Sequence, residues 1–130
     1  METDGTLLET LGIEIVSAST DGCVATMPVD RRTVQPFGYL HGGATAALLE
    51  TVASIASVEL AGPAAAVFGV ELCVRHVRSA REDDGPVTGT ARPATLEPHK
   101  HVWDVECRDT AGELLSSGTC TVRVIERSER

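Results

Sequence analysis

Between His41 and Ser57 the chain carries one acid, Glu50, among mostly small or apolar side chains, with no Lys or Arg beside it. An unpaired carboxylate is costly to bury, so a lone acid in a helix that otherwise reads as core is the foremost candidate for chemistry, as nucleophile or general base. The pair Gly42-Gly43 at the start of the same helix is the second candidate. The first N–H groups of a helix have no internal partner and carry partial positive charge, so a carbonyl oxygen could approach them unobstructed and be polarised. The plainer reading of the two glycines is an eased turn into the helix. Gly42 and Glu50 are eight residues apart, about 12 Å along the axis, and point about 80° apart. An attacking group must come within roughly 3.5 Å of the carbon it attacks, so one helix can hardly serve both roles. If both act, a two-fold-related antiparallel helix must bring its own Glu50 to this Gly42, and the chain works at least as a dimer with mixed sites.

These residues need a scaffold. Apolar periodicity predicts a helix over 42–60, stopped by Gly62-Pro63. At about 100° per residue, Gly43, Ala46, Ala47, Ala53, Ser54, Ser57 and Ala61 lie near Glu50, and all are small, while Leu48, Val52 and Ile55 face the other way and can anchor the helix. The small face suits either another helix or a substrate groove along a subunit seam. A short helix is expected over 6–11, and strands over 13–18, 23–29, 67–78, 86–96, 101–108 and 114–125, with turn signals at 19–22, 84–85 and 109–112. This is an α+β layout in one domain spanning 1–130. In the strand over 67–78, Phe68, Val70, Leu72, Val74 and His76 should share one face, with Gly69, Glu71, Cys73 and Arg75 on the other. A single His closing an apolar row is more often a satisfied core residue than a catalytic one.

The 130 residues carry a net charge of −8 and 42% apolar residues, which disfavours general nucleic-acid or anionic-membrane binding. No apolar stretch of membrane-spanning length is read, and the acidic N-terminus lacks an export pattern, so the expected location is cytoplasmic. Cys23, Cys73, Cys107 and Cys120 stand singly and read as reduced core thiols. Arg75, Arg78 and Arg81 could hold a compact anion such as a phosphate, or simply be solvated strand-end charges. Glu97, His99 and His101 invite a metal check, but three ligands from one short loop make a weak signal, and no metal is assigned. Trp103, Val105 and Cys107 read as core.

The run from Met27 to Gly43, with Gln35, His41-Gly42-Gly43 and Glu50 nine residues after His41, resembles the hotdog-fold acyl-CoA thioesterases of the PaaI type. Gly69-Val70-Glu71 and the stretch His76–Glu82 look most like the 1,4-dihydroxy-2-naphthoyl-CoA thioesterases, with the enterobactin-pathway proofreading thioesterases as close relatives. The resemblance covers about Ile13 to Val124. It implies a hotdog fold, a long central helix wrapped by a curved antiparallel sheet, paired into dimers and usually tetramers. Glu50 would then be nucleophile or general base, and the Gly42 amide would polarise the thioester carbonyl. Gln35 and His41 would orient the reacting groups, and Ser54 would help place water. Gly69, His76, Val77, Arg78, Ser79, Arg81, His99 and Lys100 would line the substrate and coenzyme A region. No cofactor is implied, coenzyme A being part of the substrate. The chain departs from the pattern in an acidic turn, Glu82-Asp83-Asp84-Gly85, and in Pro98, where relatives tend to have Gly. The expected reaction is hydrolysis of an acyl-CoA, with an aromatic or hydroxyaryl acyl group favoured. The rivals are a hydratase or dehydratase on the same fold and a non-catalytic acyl-CoA-binding protein.

Overall fold

A computed structural model describes residues 2–127. In chain order the elements are α1 (Leu7–Leu11), β1 (Glu14–Ser19), β2 (Gly22–Met27), α2 (Gly42–Ala61), β3 (Ala65–His76), β4 (Val87–Glu97), β5 (Lys100–Arg108) and β6 (Leu114–Glu126). The six strands form one sheet in the order β1-β2-β4-β5-β6-β3, every neighbouring pair antiparallel. The sheet wraps α2, which touches all six strands. All expected elements are present, with ends shifted by up to two residues.

Alternate residues of β2 and β5 turn inward onto the helix. Cys23, Ala25 and Met27 of β2, and Trp103, Val105 and Cys107 of β5, are buried against Leu48, Leu49, Val52 and Ala56 of α2. Leu48 sits on the bare backbone of Gly89 in β4, where an added Cβ would lie 2.8 Å from the leucine Cγ. Curvature comes from irregularities in register at Ile15/Ser17, Gly69/Glu71, Pro93/Thr95 and Cys107/Arg108. Pro93, which cannot donate to a ladder, falls at one of them.

Two expectations are corrected here. Contrary to the reading of no span-length segment, α2 is long and apolar enough to cross a bilayer by length and composition; it is, however, the helix the sheet encloses. The strand face predicted for β3 is also broken. The bulge at Gly69/Glu71 shifts the alternation, so Phe68 and Val70 are exposed, while Leu72 and Val74 pack on the core. Gly69 pairs with buried Val122 and therefore faces inward.

Candidate active site

The segment between β2 and α2 is a hydrogen-bonded hairpin that delivers His41 to the helix. The Thr33 hydroxyl donates to the Pro28 carbonyl (2.7 Å), Val34 and Leu40 form a bridge, and the His41 N–H donates to the Thr33 carbonyl (2.8 Å). Inside the turn, Gln35 Oε1 accepts from the N–H groups of Phe37 (2.6 Å) and Tyr39 (3.2 Å). Its oxygen is thus spent on the loop, and its amide NH2 is what remains to offer.

His41 is the N-cap of α2. Its Nδ1 accepts from the Gly43 N–H at 2.7 Å, so the neutral ring carries its proton on Nε2. The Gly42 N–H makes no hydrogen bond among the described residues, leaving one donor free at the positive end of the helix. Beside it stands His76 at the end of β3: a Cβ at Gly42 would lie 3.0 Å from His76 Nε2. Ser116 Oγ of β6 holds His76 Nδ1 at 2.7 Å and fixes the ring. Gln35, Gly42 and His76–Ser79 line one cavity of about 420 Å³. That brings together four predicted residues of the substrate region, Gln35 and the tip of the helix.

Glu50 is elsewhere. It lies exposed on the open side of α2, not buried as the sequence led one to expect, because the small residues around it leave that side of a single chain uncovered. Its carboxylate rests against Gly69: a Cβ there would be 2.5 Å from Oε2 and 2.7 Å from Cδ. Glu50 and Ser54 open into a second groove of about 510 Å³, which also takes in Gly43, Ala46 and Ala47. The small-residue face is only partly open, however. Ala53 and Ser57 are fully buried, Ser57 against His101 and Trp103 of β5.

Ser57 accepts from the Trp103 indole N–H (2.7 Å) and is bonded to His101 Nδ1 (2.8 Å), all three buried. Glu97, His99 and His101, the residues of the metal check, therefore part: His101 turns into the core, while Pro98 and His99 form the turn. Burial pushes the His101 imidazole below its ordinary value. No group of three metal-ligating side chains occurs among the described residues.

The remaining predicted residues are spread out. The Arg81 guanidinium sits over the Tyr39 ring at 5.5 Å, whereas Arg78, already in the first cavity, lies 3.7 Å from Glu113. His99 lines a cavity with Leu60 and Ala61 at the C-terminal end of α2, the end remote from Gly42, and exposed Lys100 adjoins it. Burial pushes the Cys23 thiol up to about 11 and those of Cys107 and Cys120 to about 12, whereas Cys73 is exposed. Only three of the four cysteines are thus the core thiols expected. Ser116 and the buried Ser57–His101–Trp103 cluster were missed as such; their partners lie 40 or more residues apart, where no local pattern links them.

The chain is similar to known proteins over most of its length. The pattern described as thioesterase superfamily matches residues 37–116. A putative esterase, ComA2, of Bacillus subtilis is 43% identical over 98% of this chain and 100% of its own length. A 1,4-dihydroxy-2-naphthoyl-CoA hydrolase of Escherichia coli is 39% identical over 94% of this chain and 88% of its own. Among solved structures, thioesterase HI1161 of Haemophilus influenzae superposes with a TM-score of 0.92 at 37% identity, covering 98% of this chain and 88% of that one.

Proposed function

This chain belongs to the thioesterase superfamily and is an acyl-CoA thioester hydrolase, and we propose that it cleaves aromatic or hydroxyaryl acyl-CoA thioesters at a site shared between two protomers. The carrying observation is the division of candidate groups in one chain. The free Gly42 N–H opens into one cavity, and the Glu50 carboxylate into another. Neither half is complete alone. An antiparallel partner would set its Glu50 opposite this protomer's Gly42 and repeat the arrangement by symmetry.

The edge of the sheet supports such a partner. Among the described residues the twelve-residue β3 pairs only with β6, which leaves its other side an unpaired ladder, and it exposes Phe68 and Val70. An edge of that length and apolarity is a template for another strand. Pairing there would also cover the face on which Glu50 lies.

In the shared site, the thioester oxygen takes the Gly42 N–H and the free amide of Gln35, and both bonds strengthen as negative charge develops. Glu50 of the other protomer removes a proton from a water placed by Ser54 as that water attacks the carbonyl carbon, or attacks the carbon itself to form an acyl-enzyme anhydride that water then hydrolyses, releasing the acid and restoring the carboxylate. The carbon–sulfur bond breaks, and the sulfur leaves as the thiol of coenzyme A after taking a proton. His41 can supply a donor from Nε2, because its Nδ1 is committed to the helix cap. His76, fixed by Ser116, borders the entering group. The aromatic preference rests on the resemblance to the naphthoyl-CoA hydrolase and on the apolar character of the groove beside Glu50.

Glu50→Gln keeps the shape and removes the base. Its turnover of aryl-CoA is expected to fall by about 10²–10⁴-fold while the far-ultraviolet spectrum stays that of the parent. Release of coenzyme A, followed with a thiol reagent, measures it. Turnover at the parental rate would take Glu50 out of the mechanism.

A further inference from the structure

The groove at Glu50 is not built from α2 alone. Beyond Ser54 its walls are apolar: Ile55 and Val58 from α2, Leu72 from β3, and Leu7 and Leu8 from α1. Val58 is eight residues past Glu50, about 12 Å along the axis. A group bound by its carbonyl at Glu50 therefore has two turns of apolar wall to lie against, enough for fused aromatic rings.

The short helix that lines this groove joins the core through its C-terminal turn. The Ile13 N–H donates to the Leu8 carbonyl (2.9 Å), Gly12 adopts the left-handed conformation that ends the helix (φ 75°), and Ile13 is in the core. Leu8 and Leu11 pack against the core. Leu7, by contrast, is 56% exposed although it lines the groove. A large apolar side chain left open on the wall of a groove, on a helix whose other leucines pack on the core, is placed to be covered by whatever fills the groove.

We propose that α1 is the specificity wall of the acyl site, with Leu7 and Leu8 setting how large an acyl group the groove accepts. This rests on the reading of Glu50 as the catalytic carboxylate, because that fixes which part of the substrate enters. Leu7 can be changed with little disturbance to the core, so it carries the test.

Hydrolysis of acetyl-, benzoyl- and 2-naphthoyl-CoA is compared for the parent, Leu7→Trp and Leu7→Ala. Trp fills the end of the groove, so kcat/KM for naphthoyl-CoA relative to acetyl-CoA is expected to fall about tenfold or more. Ala removes contact with the distal ring, so the same ratio falls by about fivefold, chiefly through KM. A structural role alone would lower all three substrates together and leave the ratio unmoved; that result in both variants overturns the proposal. A changed oligomeric state on size exclusion with an unchanged ratio overturns it too, by assigning the groove to a second copy of the chain. A parent that hydrolyses none of the three overturns the aryl-CoA reading as well. A parent that hydrolyses them while the ratio stays fixed removes only the role of α1.

Discussion

Gly69 shows how one missing side chain can govern a reactive group. The Glu50 carboxylate occupies the space where any other residue would place its Cβ. Since the displaced atoms belong to the end of a flexible side chain, Gly69→Ala should fold with near-parental stability and pay in catalysis. A shift of about 1 Å at a reacting group can cost on the order of 10²-fold, so kcat is expected to drop between about tenfold and a hundredfold, with KM changing less. Steady-state kinetics beside a thermal melt would check this; a parental kcat in the alanine variant would mean that the carboxylate has an equally good position elsewhere. The glycine was legible only as part of a resemblance. What it does depends on a contact between residues 19 apart in sequence and on the bulge that turns it inward.

Elements act here chiefly by holding polar groups. The hairpin before α2 uses Gln35 and His41 to complete its own hydrogen bonds, and that leaves each with a defined donor group, the Gln35 NH2 and the His41 Nε2–H. At the other end, Ser57 ties α2 to β5 through His101 and Trp103. This link has a pH signature. An imidazole in the unfolded chain protonates near pH 6.5, whereas burial holds that of His101 lower. Between the two values the unfolded state binds a proton that the folded state does not, so stability falls as pH drops below about 6.5. The urea midpoint of the parent should decline between about pH 7.5 and 5.5 more steeply than that of His101→Gln. Equal slopes would show that His101 takes up its proton without leaving the core. From sequence, His101 belonged to a metal question; the wrapping of β5 over α2 is what converts it into a core ligand of a serine.

At the scale of the whole molecule, the division between Gly42 and Glu50 makes a prediction no single-chain variant can test. Glu50→Gln spoils one half of every shared site, and Gly42→Val spoils the other, since its side chain would crowd His76 Nε2. When the two inactive proteins are unfolded together and refolded at equal concentration, half the dimers should be mixed. Each mixed dimer has one site with both defects and one with none, so about a quarter of parental activity should return. Chains that house a complete site individually would recover nothing.

The sequence by itself determined the element order, the acid Glu50 amid small residues of the long helix and the glycine pair at its tip, because these follow from local periodicity, turn chemistry and spacing. It also carried the argument that one helix cannot unite the two, which needs only the rise per residue. Tertiary structure decided the rest: that Glu50 is open and not buried in a lone chain, that Gly69 faces it, that Ser116 fixes His76, and that α1 walls the groove. Each of those depends on strand register, a bulge or the packing of distant segments. A shift of one residue in pairing reverses which face a side chain occupies, and local sequence does not encode where that shift falls.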